Sequence, residues 1–322
     1  MSGEETEMAF EEALEKILNE EQVPIHLLYH LSDISENDLQ AFARLWPDAP
    51  DDRRREIIRH LVDISEDDFI VDFRPLYSYG LADPFYQVRI ASLDGLWDTT
   101  DLSLVDPIID RMQNDVYPEV QAAAAGALAH YLLMAAWGEL KDIRSKDITA
   151  ALLAAYNDPE SDLLLRRVAL EALGSVNLPE VSRAIEESYE SPHLELQLSA
   201  LFAMGSSADP RWLPILLDEM ESPYEEIRLE AVRAAGNIGD SQAIPRLAEL
   251  AYDDSEEVAV AAIAALGEIG GEQAGELLTA MVDDSELEEL HEIIHEVFEE
   301  STWNALDLQF SLFTEDFWDE EE

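Results

Sequence analysis

The sequence predicts an all-α solenoid of about eight stacked helix pairs, and three observations carry that prediction. A ten-residue phrase, LRRVALEALG from Leu165, returns as LQLSALFAMG from Leu196, IRLEAVRAAG from Ile227 and VAVAAIAALG from Val258. Its closing residues Gly174, Gly205, Gly236 and Gly267 therefore stand 31 residues apart. Each period holds two stretches with helical apolar spacing. Small residues accompany the glycines at Ala172, Ala203, Ala234 and Ala265, where they are expected to let the two helices of a unit approach closely. A unit this short cannot bury its own apolar face, so it must stack on its neighbours.

The phrase resembles the first helix, A, of a HEAT repeat of the short phycobilisome-lyase-like variety, and the resemblance extends over most of the chain. Gly239-Asp240-Ser241-Gln242-Ala243-Ile244-Pro245 has the form of the link into the second helix, B, and Asp209 to Pro214 repeats it one unit earlier. The resemblance implies a right-handed α-solenoid of about eight HEAT-like helix pairs with N- and C-terminal capping helices, its B helices lining the concave side. It carries no active-site residues across, because such folds host many unrelated roles.

Residues 1–22 read as an N-terminal capping helix, with Phe10, Leu14, Ile17 and Leu18 on one face and glutamates on the other. The repeat array is expected over 23–283, opening with a degenerate pair from Val23 to Trp46. The run Arg53-Arg54-Arg55 lies among Asp51, Asp52 and Glu56 and reads as a solvated, salt-bridged helix start. In the third unit Trp97 occupies the glycine slot, where its bulk should push the A and B helices apart. The fourth has Ala129 there, and the next phrase begins 45 residues after Val120. The surplus forms an insertion near 130–146 that extends the A helix through Trp137. It either packs on the first units or provides a contact surface.

Helix ends are marked by a capping box at Ser222-Pro223-Tyr224-Glu225, by caps at Asp254-Ser255, and by Gly239 and Gly270 at left-handed stops. On the B helices, Ile185, Leu216, Leu247 and Leu278 form a column expected to be core. Glu187, Asp218 and Glu249 form a second column, a ladder of carboxylates. A terminal helix follows over 284–300. Residues 301–322 then alternate apolar and polar side chains and end in an acidic, aromatic tip holding Phe317 and Trp318.

Charge sets the functional expectation. The 72 acidic and 19 basic residues give a net charge of -53, which repels nucleic acid and anionic lipid and attracts basic partners. Even spreading would put about 13 of the 53 charges in the last 76 residues, yet 24 acidic and no basic residues follow Arg246. Scarce lysine also fits adaptation to salt; the clustering favours a docking surface. No cysteine is present, no apolar run reaches the ~18 residues of a membrane span, and the opening Met-Ser-Gly-Glu-Glu is unlike a signal peptide. A soluble cytoplasmic protein is expected, with neither nucleic acid nor membrane as partner and its oligomeric state open.

These features predict a non-catalytic scaffold, adaptor or chaperone without cofactors that captures a basic protein or peptide. Its anchors would be Glu187, Asp218 and Glu249, Trp212 at the groove edge, and Phe317 and Trp318 in the tail. Two alternatives belong to other classes. The name of the repeat family implies a phycobilin lyase-like subunit. His291-Glu292-Ile293-Ile294-His295 resembles the HExxH of zinc peptidases, in which two imidazoles four apart share a metal and the glutamate activates its water. His291 and His295 are accordingly metal candidates, without a positioned third ligand.

Overall fold

The computed structural model describes residues 9–68, 70–139, 143–282 and 284–299; these are helices and turns, with no strand among them. The protein is an all-α solenoid. Its helices fall into two compact units, Met1–Leu173 and Gly174–Glu322.

The first unit contains α1 (Phe10–Asn19), α2 (Ile25–Leu28), α3 (Glu36–Leu45), α4 (Asp51–Asp67), α5 (Arg74–Gly80) and α6 (Tyr86–Asp94). It continues through α7 (Val105–Asn114), α8 (Pro118–Ala127), α9 (Ala129–Ala136), α10 (Ile143–Asn157) and α11 (Leu163–Ala172). Helix α1 buries Ala13, Leu14, Ile17 and Leu18 against α2, α3 and α4, while Phe10 is half-buried. The remainder of the expected cap, 1–8, lies outside the described residues.

The arginine run at the start of α4 is salt-bridged to Asp51, Asp52 and Glu56 as expected, but Arg54 is not solvated. Arg54 is buried, and its guanidinium grips the Asp83 carboxylate at 2.9 and 3.0 Å while Nη1 donates to the Ala49 carbonyl. Trp46 donates to the same carboxylate at 2.9 Å. Arg89 repeats the arrangement, with both bonds to Asp115 at 2.7 Å and Nη1 on the Asp83 carbonyl. In the second unit Arg228 bonds Asp253 at 3.0 and 2.8 Å and the Ser222 carbonyl at 3.0 Å. Each clasp ties one A helix to the turn before it and to the turn of the following unit. Its bidentate geometry suits arginine and carboxylate alone.

Trp97 does not wedge helices apart. Helix α6 stops at Asp94, and Gly95, which follows, lies against the Tyr77 ring, where a Cβ would meet a ring carbon at 2.6 Å. Trp97 then falls beyond the helix, 56% exposed and edge-on to His130 at 6.4 Å. The expected A-helix extension is also interrupted: the chain turns at Leu128 and resumes as α9, which packs on α8, α10 and α11. Tyr131 and Leu132 are buried there, while Trp137 is exposed.

The second unit contains α12 (Pro179–Tyr189), α13 (Leu194–Ser206), α14 (Leu213–Glu219), α15 (Glu225–Ile238), α16 (Ile244–Leu250), α17 (Glu256–Ile269) and α18 (Gly271–Val282). The A helices α13, α15 and α17 pack directly on one another, and the B helices α12, α14 and α16 each rest on the A helix that follows. The repeated small residues serve the first of these contacts rather than an approach of A to B. A Cβ on Gly205 would stand 2.6 Å from the Ala234 Cα, and one on Gly236 would stand 2.9 Å from the Ala265 Cβ. Glycine in one A helix faces alanine in the next, so backbones meet where side chains would otherwise separate them.

Capping follows the sequence at Ser255 and Gly239 and departs from it at Gly270 and Ser222. Ser255 caps α17 by accepting from the Val258 amide, and Gly239 adopts φ 71°, ψ 15° after α15. Gly270 also has positive φ, 62°, but with ψ -157°, a region open essentially to glycine alone. No capping box forms at Ser222. Helix α15 begins at Glu225, and Ser222 instead supports the preceding turn by accepting from the Tyr224 amide. The terminal helix is likewise split. Asp284 caps a 3-10 turn, Ser285–Leu290, that is kinked at Leu287, and only 291–299 are α-helical.

Candidate functional site

The B helices of the second unit present the two columns. Ile185, Leu216, Leu247 and Leu278 are at most 1% exposed and belong to the core. Glu187, Asp218 and Glu249 are all exposed, one on each of α12, α14 and α16. The ladder is not uniformly available, because Arg246 pairs with Glu249 on its own helix and with Glu221 at 2.7 Å. Nearby, the Tyr189 hydroxyl donates to Glu219, and burial together with that carboxylate pushes its pKa up to about 12.

Trp212 is not a surface anchor. It is 3% exposed, in the 3-10 turn Pro210–Trp212, which directs the indole inward while the Arg211 guanidinium lies 4.5 Å over its ring. Its Nε1 is buried and meets no acceptor among the described residues. The tail anchors Phe317 and Trp318 lie outside the described residues.

The two histidines of the HExxH sequence have other engagements. His291 Nε2 is 2.9 Å from the Asp284 carbonyl, closing the 3-10 turn, and the exposed His295 lies 3.6 Å from Glu299. Among the described residues no three potential metal-ligating side chains come together.

A groove of about 830 Å³ lies on the other layer of this unit, across the A helices. Phe202 of α13 stands at one end, Glu230, Arg233 and Asn237 of α15 cross the middle, and Val260, Ala261 and Ala264 of α17 form the far floor. Glu256, Glu257 and Glu268 edge it. Burial pushes the Glu268 carboxyl above the usual glutamate range, since its Oε2 rests where a Cβ of Gly236 would stand, at 2.4 Å. The sequence reading, directed at B-helix columns, missed this groove. Its signal was available: residues 258–267 contain no polar side chain, so α17 has apolar residues on its outer face as well as its inner one.

The family comparison agrees with the repeat geometry over part of the second unit. Residues 210–296 match the model of a family described as HEAT repeats. That match covers part of the second unit, from the turn before α14 into 291–299. No curated protein matches it. Among solved structures, the chain is similar to Escherichia coli YibA at 17% identity over 88% of this chain and 98% of that one, with a TM-score of 0.46. Human deoxyhypusine hydroxylase in complex with glycerol shares 17% identity over 81% and 95%, with a TM-score of 0.35. Kap95p, in a structure describing its binding to RanGDP, shares 13% over 89% and 51%, with a TM-score of 0.44. At these identities no residue role passes from those proteins to this chain. Within the described residues no helix is long and apolar enough to cross a membrane.

Proposed function

We propose that this HEAT-repeat protein is a non-catalytic scaffold that holds a basic protein or peptide on its second unit. The observation that carries the reading is the register of Glu187, Asp218 and Glu249, exposed on three successive B helices of a chain with net charge -53. Carboxylates one repeat apart on a rigid stack give a cationic segment several simultaneous contacts, and the surrounding field speeds its arrival.

Titration of a fluorescent oligolysine peptide at low salt tests this. The expected result is that Glu187→Gln, Asp218→Asn and Glu249→Gln together weaken binding about tenfold, or about 1.4 kcal/mol. Removing the same charge from the exposed Glu66, Asp98 and Glu119 of the first unit should change it less than about twofold. Equal losses from both sets would leave a general polyanion effect and no site. Raising the salt should weaken binding to the wild type steeply.

A further inference from the structure

The groove across α13, α15 and α17 interrupts the pattern of its own array. The slot occupied by Ala264 is filled 31 residues earlier by Arg233, and that of Ala261 by Glu230, so α15 carries charge where α17 is apolar. Val260, Ala261 and Ala264 are each half-buried, and Phe202 is 42% exposed, so the floor is apolar surface facing solvent. Four carboxylates, Glu230, Glu256, Glu257 and Glu268, line the groove against one guanidinium, Arg233.

Two occupants are disfavoured by charge. The chain's own residues 301–322 carry seven acidic and no basic side chains, and a second copy would bring the same excess of carboxylates to this face. We infer that the groove takes an amphipathic helix from a partner, apolar on the side facing Val260, Ala261, Ala264 and Phe202 and basic on its flanks. Two interhelical spacings of about 8–10 Å each separate α13 from α17. At ~1.5 Å per residue a helix of about 11–13 residues spans that distance. Apolar contact on the floor supplies affinity, while the carboxylates select cationic flanks and exclude acidic helices. A basic flank beside Glu268 would also neutralise a carboxylate that the fold holds partly away from water.

The inference rests on the proposed basic partner for the sign of the charge and adds a separate apolar requirement. It is tested on the full chain by fluorescence anisotropy with three labelled peptides of about 14 residues. One carries Leu and Ala on one helical face and Lys on the other, the second is its composition isomer without a face, and the third is oligolysine of equal charge. The expected result is about tenfold tighter binding of the amphipathic peptide than of its isomer. Ala264→Arg should abolish that preference and leave oligolysine binding within about twofold. Arginine already occupies the matching slot of α15, so the variant should fold, and circular dichroism checks that it does.

Equal binding of peptide and isomer, or a preference that survives Ala264→Arg, overturns the groove inference while oligolysine binding sustains the basic-partner reading. Failure of all three peptides to bind overturns both. Tighter binding of the amphipathic peptide on deletion of 301–322 would assign the groove to the tail. A dimer that Ala264→Arg dissociates would assign it to a second copy. Either outcome also overturns the inference.

Discussion

Gly205 lies so close to Ala234 of the next repeat that a Cβ on it would stand 2.6 Å from the Ala234 Cα. The obstacle is backbone, which cannot rotate away, so Gly205→Ala must push α13 and α15 apart. The expected cost is about 1–3 kcal/mol. Gly275 is the internal control. It sits inside α18 with nothing within 4 Å of its Cβ position, and Gly275→Ala should stabilise by about 0.4–1 kcal/mol through the unfolded chain. Urea midpoints of the two variants should move in opposite directions.

The Arg89 and Asp115 side chains are only 7% and 2% exposed, so neither charge can fall back on water. Asp115→Ala leaves the guanidinium buried without its bidentate partner and also removes the acceptor that Arg111 approaches at 3.6 Å. A loss of about 3–5 kcal/mol is expected. The double variant Arg89→Met, Asp115→Leu removes both charges and should lie closer to the wild type than the single one. A double-mutant cycle from urea unfolding measures the difference.

Glu268 links stability to pH in the direction opposite to Asp253. Burial of its carboxyl end raises the folded pKa, although much of the side chain is exposed. A group with a raised folded pKa contributes its stability below the unfolded pKa and loses it as pH rises through the folded one. Glu268→Gln should therefore stabilise the protein near neutral pH, and the gain should shrink as pH falls through the raised value. Asp253 runs the other way. Burial alone would raise it, but the Arg228 guanidinium and the Ser255 amide outweigh burial and hold it below the usual range. Its contribution is present above the unfolded aspartate pKa and is lost as acid reaches the folded one. Urea midpoints of Glu268→Gln and Asp253→Asn across pH separate the two signs.

The 31-residue phrase made the A helices and the buried B-helix column legible, because a fixed period maps sequence slots onto repeated environments. The period also showed which residues are small, but not which surfaces they bring together. Gly205 and Gly236 face the next A helix, a contact between units that no single repeat reveals. The arginine clasps were hidden for a related reason. Arg54 to Asp83 spans 29 residues, Arg89 to Asp115 spans 26 and Arg228 to Asp253 spans 25, so no fixed offset betrays them. At the candidate site, the acidic column followed from the 31-residue interval between Glu187, Asp218 and Glu249, while its exposure is read from the structure. The apolar outer face of α17 required comparing Ala264 with Arg233 one period earlier.

Trp212 separates an aromatic that builds the stack from one that reads a partner. Its sequence neighbours Asp209, Pro210 and Arg211 look like a surface turn, yet the turn points the indole inward, with only 3% of the residue exposed. Trp212→Ala should cost about 3–5 kcal/mol by leaving a cavity. Trp212→Phe keeps a ring in place and removes an Nε1 donor that meets no acceptor among the described residues, so it should be milder. If the indole is purely structural, folded Trp212→Phe protein binds oligolysine within about twofold of the wild type. A tenfold loss of binding, with the thermal midpoint unchanged, would show that this residue contacts the partner after all, and the anchor would then have to be sought around Arg211, whose guanidinium covers the indole ring.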